Sequence, residues 1–108
     1  MSIKRVVIEG ACKLEAVLNE NSKKGGVVIC HPHPLYGGDM HNNVVGAIEE
    51  GFTVKGFTTL RFNFRGVGGS TGFYGNGSGE VEDLMDAAEF LKEQIDKNGV
   101  IMLAGYSF

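Results

Sequence analysis

The sequence predicts an α/β fold, a mostly parallel sheet with an antiparallel leading edge and helices on both faces. Three observations carry this. Two β-favouring segments open the chain, two wholly apolar runs at 27–30 and 100–104 suit strands covered on both faces, and helical spacing falls between the later strand candidates. Strand, helix, strand, helix, strand is the rhythm of right-handed crossovers that feed a parallel sheet.

The elements follow in order. Residues 4–9 and 12–18, joined by Gly10 and Ala11, read as a hairpin at the sheet edge. The polar stretch from Asn19 to Gly26 reads as a turn, and Val27-Val28-Ile29-Cys30 as a buried strand. His31 to Asn43 holds both prolines and two glycines, which predicts a loop. Asn42 is then a helix N-cap, with Val45, Ile48 and Phe52 at helical spacing and Gly56 as the stop. Residues 57–64 read as the next strand and 65–79 as a glycine-rich loop. Val81, Leu84, Met85, Ala88, Leu91 and Ile95 mark one face of a second helix, whose first turn gathers Glu80, Glu82 and Asp83 at the positive end of its dipole. Asp96 to Gly99 turns the chain into the strand 100–104.

Composition limits the function classes. A chain of 108 residues, 43% hydrophobic and 21% charged, predicts a single domain over 1–108. Ten basic against thirteen acidic residues give a net charge of −3, and the basic residues are scattered, which argues against nucleic acid or an anionic membrane as partner. No signal-type segment occurs, and no apolar run approaches the ~18 residues of a membrane helix. Cys12 and Cys30 lack a CxxC spacing and read as small buried side chains in a reducing, cytoplasmic setting.

The chemistry concentrates at the last strand. It runs into Gly105-Tyr106-Ser107-Phe108, four of the five positions of the G-x-S-x-G nucleophile elbow. That turn needs glycines because side chains flanking the strained serine would collide with neighbouring backbone. A Gly-x-Ser triplet alone is common at ordinary strand ends. Here it directly follows an apolar strand that itself follows an amphipathic helix, the placement the motif requires. Two further segments, His31-Pro32-His33-Pro34-Leu35-Tyr36-Gly37-Gly38 and Asn63-Phe64-Arg65-Gly66-Val67-Gly68-Gly69-Ser70, also fall at strand C-termini, the edge where open α/β sheets place ligands.

With these three segments the whole chain resembles the N-terminal part of the α/β-hydrolase superfamily, and within it small bacterial hydrolases similar to dienelactone hydrolases and short-chain esterases. The resemblance implies that Ser107 is the catalytic nucleophile. It implies that the loop after residue 30 gives one oxyanion-hole N–H and that Phe108 gives the other. Pro32 stands where the superfamily often has glycine, and neither Pro32 nor Pro34 has an N–H. His33 is therefore the expected donor, with Leu35 or Tyr36 as alternatives. Residues 63–70 look like the superfamily's Asp-x-Arg-Gly-x-Gly-x-Ser loop with Asn63 in place of Asp, a structural segment that Arg65 pins through carboxylate or carbonyl contacts. Tyr36, Phe73 and Tyr74 stand as candidates to line the entrance, though surface packing explains them equally well.

The expected activity is hydrolysis of a small-molecule, carboxylic ester-like substrate through an acyl-enzyme intermediate, with no cofactor. Acyl transfer or thioester hydrolysis by the same nucleophile is the enzymatic alternative, and a catalytically inactive fragment or binding scaffold is the alternative of another class. A zinc site from His31, His33, His41 and Asp39 is weighed and disfavoured, because a His-Pro-His-Pro backbone is no regular strand and the spacing loses its geometric force. Nucleotide binding is disfavoured by Thr71 and Glu80, which stand where G-x-G-x-x-G needs glycine. The superfamily's acid and base follow the serine, and no His, Asp or Glu follows Ser107 here. The expectation is thus a domain incomplete at its C-terminus, truncated from a longer hydrolase, with strand 100–104 as an apolar edge open to self-association.

Overall fold

A computed structural model describes residues 2–34 and 37–105. Strands β1 (Ser2–Glu9), β2 (Lys13–Glu20) and β3 (Ser22–Cys30) lead. Helix α1 (Asn43–Val54), strand β4 (Phe57–Phe62), helix α2 (Ser78–Lys92) and strand β5 (Val100–Gly105) follow. The five strands form one sheet in the order β1-β2-β4-β3-β5. β1 and β2 make an antiparallel hairpin, β2 pairs antiparallel with β4, and β3 runs parallel to both β4 and β5. The expected parallel sheet with an antiparallel leading edge is observed.

Alternation along β3 sorts its side chains between two apolar layers. Val27 and Ile29 join Val45 of α1 on one face, whereas Val28 and Cys30 join Leu60, Phe62, Ala87 and Leu91 on the other. One helix therefore covers each face. Val27, Val28 and Ile29 are fully buried, as a strand enclosed on both sides requires. Among the described residues no helix is long and apolar enough to cross a membrane.

The caps follow local chemistry. Asn42 Oδ1 accepts from the N–H groups of Val44 and Val45 and closes the first turn of α1, as the sequence predicts. At α2 the N-cap is Gly77, at φ 95°, and the carboxylate of Glu80 reaches back to accept from the N–H groups of Gly75 and Gly77 at 2.9 Å each.

Two expectations are corrected. The stretch 19–26 is mostly strand: β2 continues to Glu20 and β3 begins at Ser22. Its glycines serve close packing, since a Cβ at Gly25 would strike the Phe57 ring and one at Gly26 would strike Leu91 of α2. In α2, Val81 and Met85 are exposed, because Glu80 and Asp83 take the inward face at the start of the helix; Ala87, Leu91 and the following Ile95 are buried. Over the first two turns Glu80 and Asp83 share the inward face with Leu84, which packs against the core.

Among the described residues β5 pairs on one side, with β3. Val100 and Leu103 are 60% and 59% exposed, so the outer strand presents apolar side chains to solvent.

Candidate active site

Because β3, β4 and β5 are parallel, the segments that follow them leave the same edge of the sheet. Cys30 pairs with Gly105. The start of the loop at His31 therefore lies beside the described end of β5 at Gly105. Tyr106, Ser107 and Phe108 lie outside the described residues, as do Leu35 and Tyr36 of the loop. The surroundings of the candidate nucleophile are thus read from the two neighbouring strand ends.

His31 joins those two ends. Its ring is fully buried, its Nδ1 lies 2.6 Å from the Pro32 carbonyl oxygen, and the Phe64 N–H reaches its Nε2 at 3.1 Å. A carbonyl only accepts and a peptide N–H only donates, so Nδ1 carries the proton and Nε2 is bare. Burial pushes this imidazole below the usual histidine range, against the opposing pulls of the Pro32 carbonyl and the Asp39 charge. The Phe64 ring meets it edge-on at 4.9 Å. With both nitrogens engaged, His31 has none left for a metal. Among the described residues no group of three His, Cys, Asp or Glu side chains could hold one.

His33 is half-buried. Its Nε2 lies 3.1 Å from the Tyr74 hydroxyl, with ring centroids 5.3 Å apart. Tyr74 is thereby brought to the loop after β3, whereas its neighbour Phe73 is 89% exposed. Past His33 the chain turns back: Gly38 N–H donates to the His33 carbonyl, and a Cβ at Gly38 would overlap the Pro32 carbonyl. Only glycine fits there. His41 is exposed, its N–H on Asp39 Oδ1.

The loop after β4 is held by a second set of contacts. Asn63 Oδ1 accepts from Met40 N–H at 2.8 Å, and Asn63 Nδ2 donates to Glu15 Oε1 at 2.7 Å. The same Glu15 oxygen accepts from Gly69 N–H at 2.8 Å, while Ser70 Oγ donates to the Asn63 carbonyl and accepts from Glu15 N–H. A Cβ at Gly68 would strike the Asn63 amide and Glu15 Oε1, and Gly68 sits at φ 53°. The glycines of this loop are there for closeness. Foremost through the Gly69 N–H, and also through Asn63, the Glu15 carboxyl is held below the usual carboxylate range, with burial opposing.

Arg65 pins the loop to α2, as its sequence context predicts. Its Nε and Nη2 donate to the fully buried Asp83 carboxylate, whose Oδ2 also accepts from Arg65 N–H. A further contact runs from Nη2 to the exposed Glu82 at 2.8 Å. The sequence offered Asp83 only as a helix-dipole residue and offered Glu15 nothing at all. Arg61 adds a tie behind the site, pairing with Glu49 of α1 at 3.1 Å and donating to the Met40 carbonyl.

A concavity of about 840 Å³ lies elsewhere, against α2 and β5, with Met85, Ile95 and Ile101 in its wall. It touches none of His31, His33, Asn63 or Arg65. It reflects the uncovered flank of β5 and is no part of this site.

The sheet order, the two helical layers and the strand ends that share one edge define the class: the chain has the N-terminal part of the α/β-hydrolase fold and matches that superfamily in structure. It superposes on an α/β serine hydrolase homologue from Coxiella burnetii with a TM-score of 0.88 and 40% identity, covering 95% of this chain and 51% of that one. An α/β serine hydrolase without lid from Xanthomonas campestris gives a TM-score of 0.89 and 31% identity over 96% and 50% of the two chains. An esterase from Pyrococcus furiosus, 24% identical with a TM-score of 0.83 over 97% and 42%, shares the fold. In sequence, an uncharacterized protein of Rickettsia prowazekii is 43% identical over 81 residues, 75% of this chain and 34% of that protein. No protein-family profile matches the chain. The chain spans about half the length of the first two structures and about a third of the Rickettsia protein.

Proposed function

We propose that the whole protein is a serine hydrolase that cleaves carboxylic ester-like bonds through an acyl-enzyme. The observation that carries this is the pairing of Cys30 with Gly105, which puts the start of the His31–Pro34 loop beside the strand end from which the sequence continues into Tyr106-Ser107-Phe108. In this reading Ser107 Oγ attacks the substrate carbonyl and a histidine later in the whole protein takes its proton. The N–H groups of His33 and Phe108 receive the oxyanion, each worth about 3–4 kcal/mol in the transition state. The alcohol leaves with the proton returned by that base, and water then releases the acid and regenerates Ser107. The resemblance in fold to serine hydrolases supports the reaction class.

A serine-directed fluorophosphonate tests the reading. Labelling of the whole protein that disappears in Ser107→Ala supports it; labelling of undiminished intensity in that variant sinks it.

A further inference from the structure

We propose that His31 is a positioning residue for the oxyanion hole, holding and polarising the Pro32–His33 peptide. The inference rests on the reading of His33 as an oxyanion donor. The Pro32 carbonyl and the His33 N–H are two ends of one planar peptide unit, and no described peptide bond is cis. Whatever fixes the carbonyl therefore fixes the direction of the N–H on the opposite side of that plane.

Two features fix it. The His31 Nδ1–H donates to the Pro32 oxygen at 2.6 Å, short for a nitrogen donor. Gly38 packs against the same carbonyl so closely that no Cβ would fit, which blocks a swing in that direction. The imidazole is in turn anchored at its other end by the Phe64 N–H at 3.1 Å, so the main chain after β4 acts through the ring on the peptide after β3.

Donation to the carbonyl also draws electron density toward that oxygen and leaves the His33 N–H more acidic. Chains of hydrogen bonds strengthen one another by about 10–30% per bond. The gain is largest when the N–H meets a full negative charge, so it belongs to the transition state more than to the bound ester. The neutral ring suits the task. Protonation at Nε2 would expel the Phe64 N–H, and burial disfavours the charged form, with Asp39 the acidic group that opposes this.

Asparagine and glutamine separate the two ends of the ring. In His31→Asn the side-chain NH₂ falls near the Nδ1 position and can still donate to Pro32. In His31→Gln the amide oxygen falls near Nε2 and can accept from Phe64. The proposal expects His31→Gln to lose roughly tenfold to a hundredfold in kcat on a chromogenic ester with KM little changed, and His31→Asn to keep at least ten times the kcat of His31→Gln. The opposite ranking, or a change confined to KM, overturns it. Ester hydrolysis that survives Ser107→Ala instead defeats the underlying reading of the nucleophile, whatever the His31 variants do. Should both His31 variants fail to fold, the ¹⁵N imidazole spectrum of the wild-type protein decides. At neutral pH it must show a protonated Nδ1 and a bare Nε2, and the reverse tautomer contradicts the proposal.

Discussion

The Asn63 side chain donates to Glu15 at 2.7 Å while its oxygen accepts from the Met40 N–H at 2.8 Å, so both halves of the amide are in use. An aspartate at 63 could keep the second contact only. It would face the Glu15 carboxylate at hydrogen-bond distance, and one of the pair would have to hold a proton. Asn63→Asp is expected to cost about 1–3 kcal/mol at neutral pH, with the penalty shrinking as pH falls and the two groups share a proton. Combined with Glu15→Gln, which removes the facing negative charge, it should regain part of that loss. Urea denaturation of the four proteins checks both; a double variant no better than Asn63→Asp contradicts the pairing.

Arg65 binds two carboxylates of different character. Asp83 is fully buried, whereas the Glu82 side chain is 56% exposed. Removing the buried partner strands a largely enclosed guanidinium, so Asp83→Ala should cost about 3 kcal/mol, while Glu82→Ala should cost less than about 1 kcal/mol. Equal losses in chemical denaturation would show that Asp83 does not hold the loop.

Acid should weaken the fold in two stages. Burial lowers the His31 pKa in the folded chain, so the unfolded chain takes up a proton first; the stability from neutral His31 is present above the ordinary value of 6.5 and declines as pH falls below it. The Glu15 carboxyl is also lowered, so its contribution is present above 4.5 and is lost as pH drops through its folded value. Urea midpoints taken from about pH 7.5 down to about pH 4 should fall throughout. Glu15→Gln should flatten the lower part of that curve; an unchanged slope there would remove Glu15 from the account.

The two thiols should differ in reactivity. Burial pushes the Cys30 thiol up to about 11, whereas Cys12 is half-buried; both are free. Under native conditions an alkylating reagent is expected to modify Cys12 and to spare Cys30 until the protein unfolds. Mass mapping of the modified peptides reads this directly, and equal rates would contradict the burial of β3.

Residues 1–108 expressed alone should self-associate through β5, whose outer edge is unpaired and whose Val100 and Leu103 are exposed. Leu103→Lys is expected to shift sedimentation toward monomer. A wild-type segment that is monomeric and unfolds sharply would show that the edge is tolerated as it stands.

Much of this was legible before any coordinates. The apolar run at 27–30 marks a buried strand and Asn42 its cap, and Arg65 in its glycine-rich setting marks a pin; the run at 100–104 marks a strand but not its burial, since Val100 and Leu103 face solvent. What stayed hidden depends on long separations. Glu15 lies 48 residues from Asn63 and 54 from Gly69, and no local pattern in a hairpin strand signals that its carboxylate gathers a distant loop. Gly25 and Gly26 looked like turn residues because glycine has the same local signature whether it bends a chain or admits a neighbour such as Leu91. Periodicity places Val81 and Met85 inward for a related reason: it sees only apolar residues, whereas the start of α2 turns the carboxylates of Glu80 and Asp83 inward beside Leu84. The candidate nucleophile is legible only as a motif, and Ser107 and Phe108 lie outside the described residues.

A covalent acyl intermediate on Ser107 is checked by quenching the whole protein during turnover of an activated ester and measuring the mass of the peptide that contains Ser107. An added acyl group is expected on that peptide in the wild type and none in Ser107→Ala. Ester turnover with the acyl group on another residue, or with no adduct and full activity in Ser107→Ala, would contradict it.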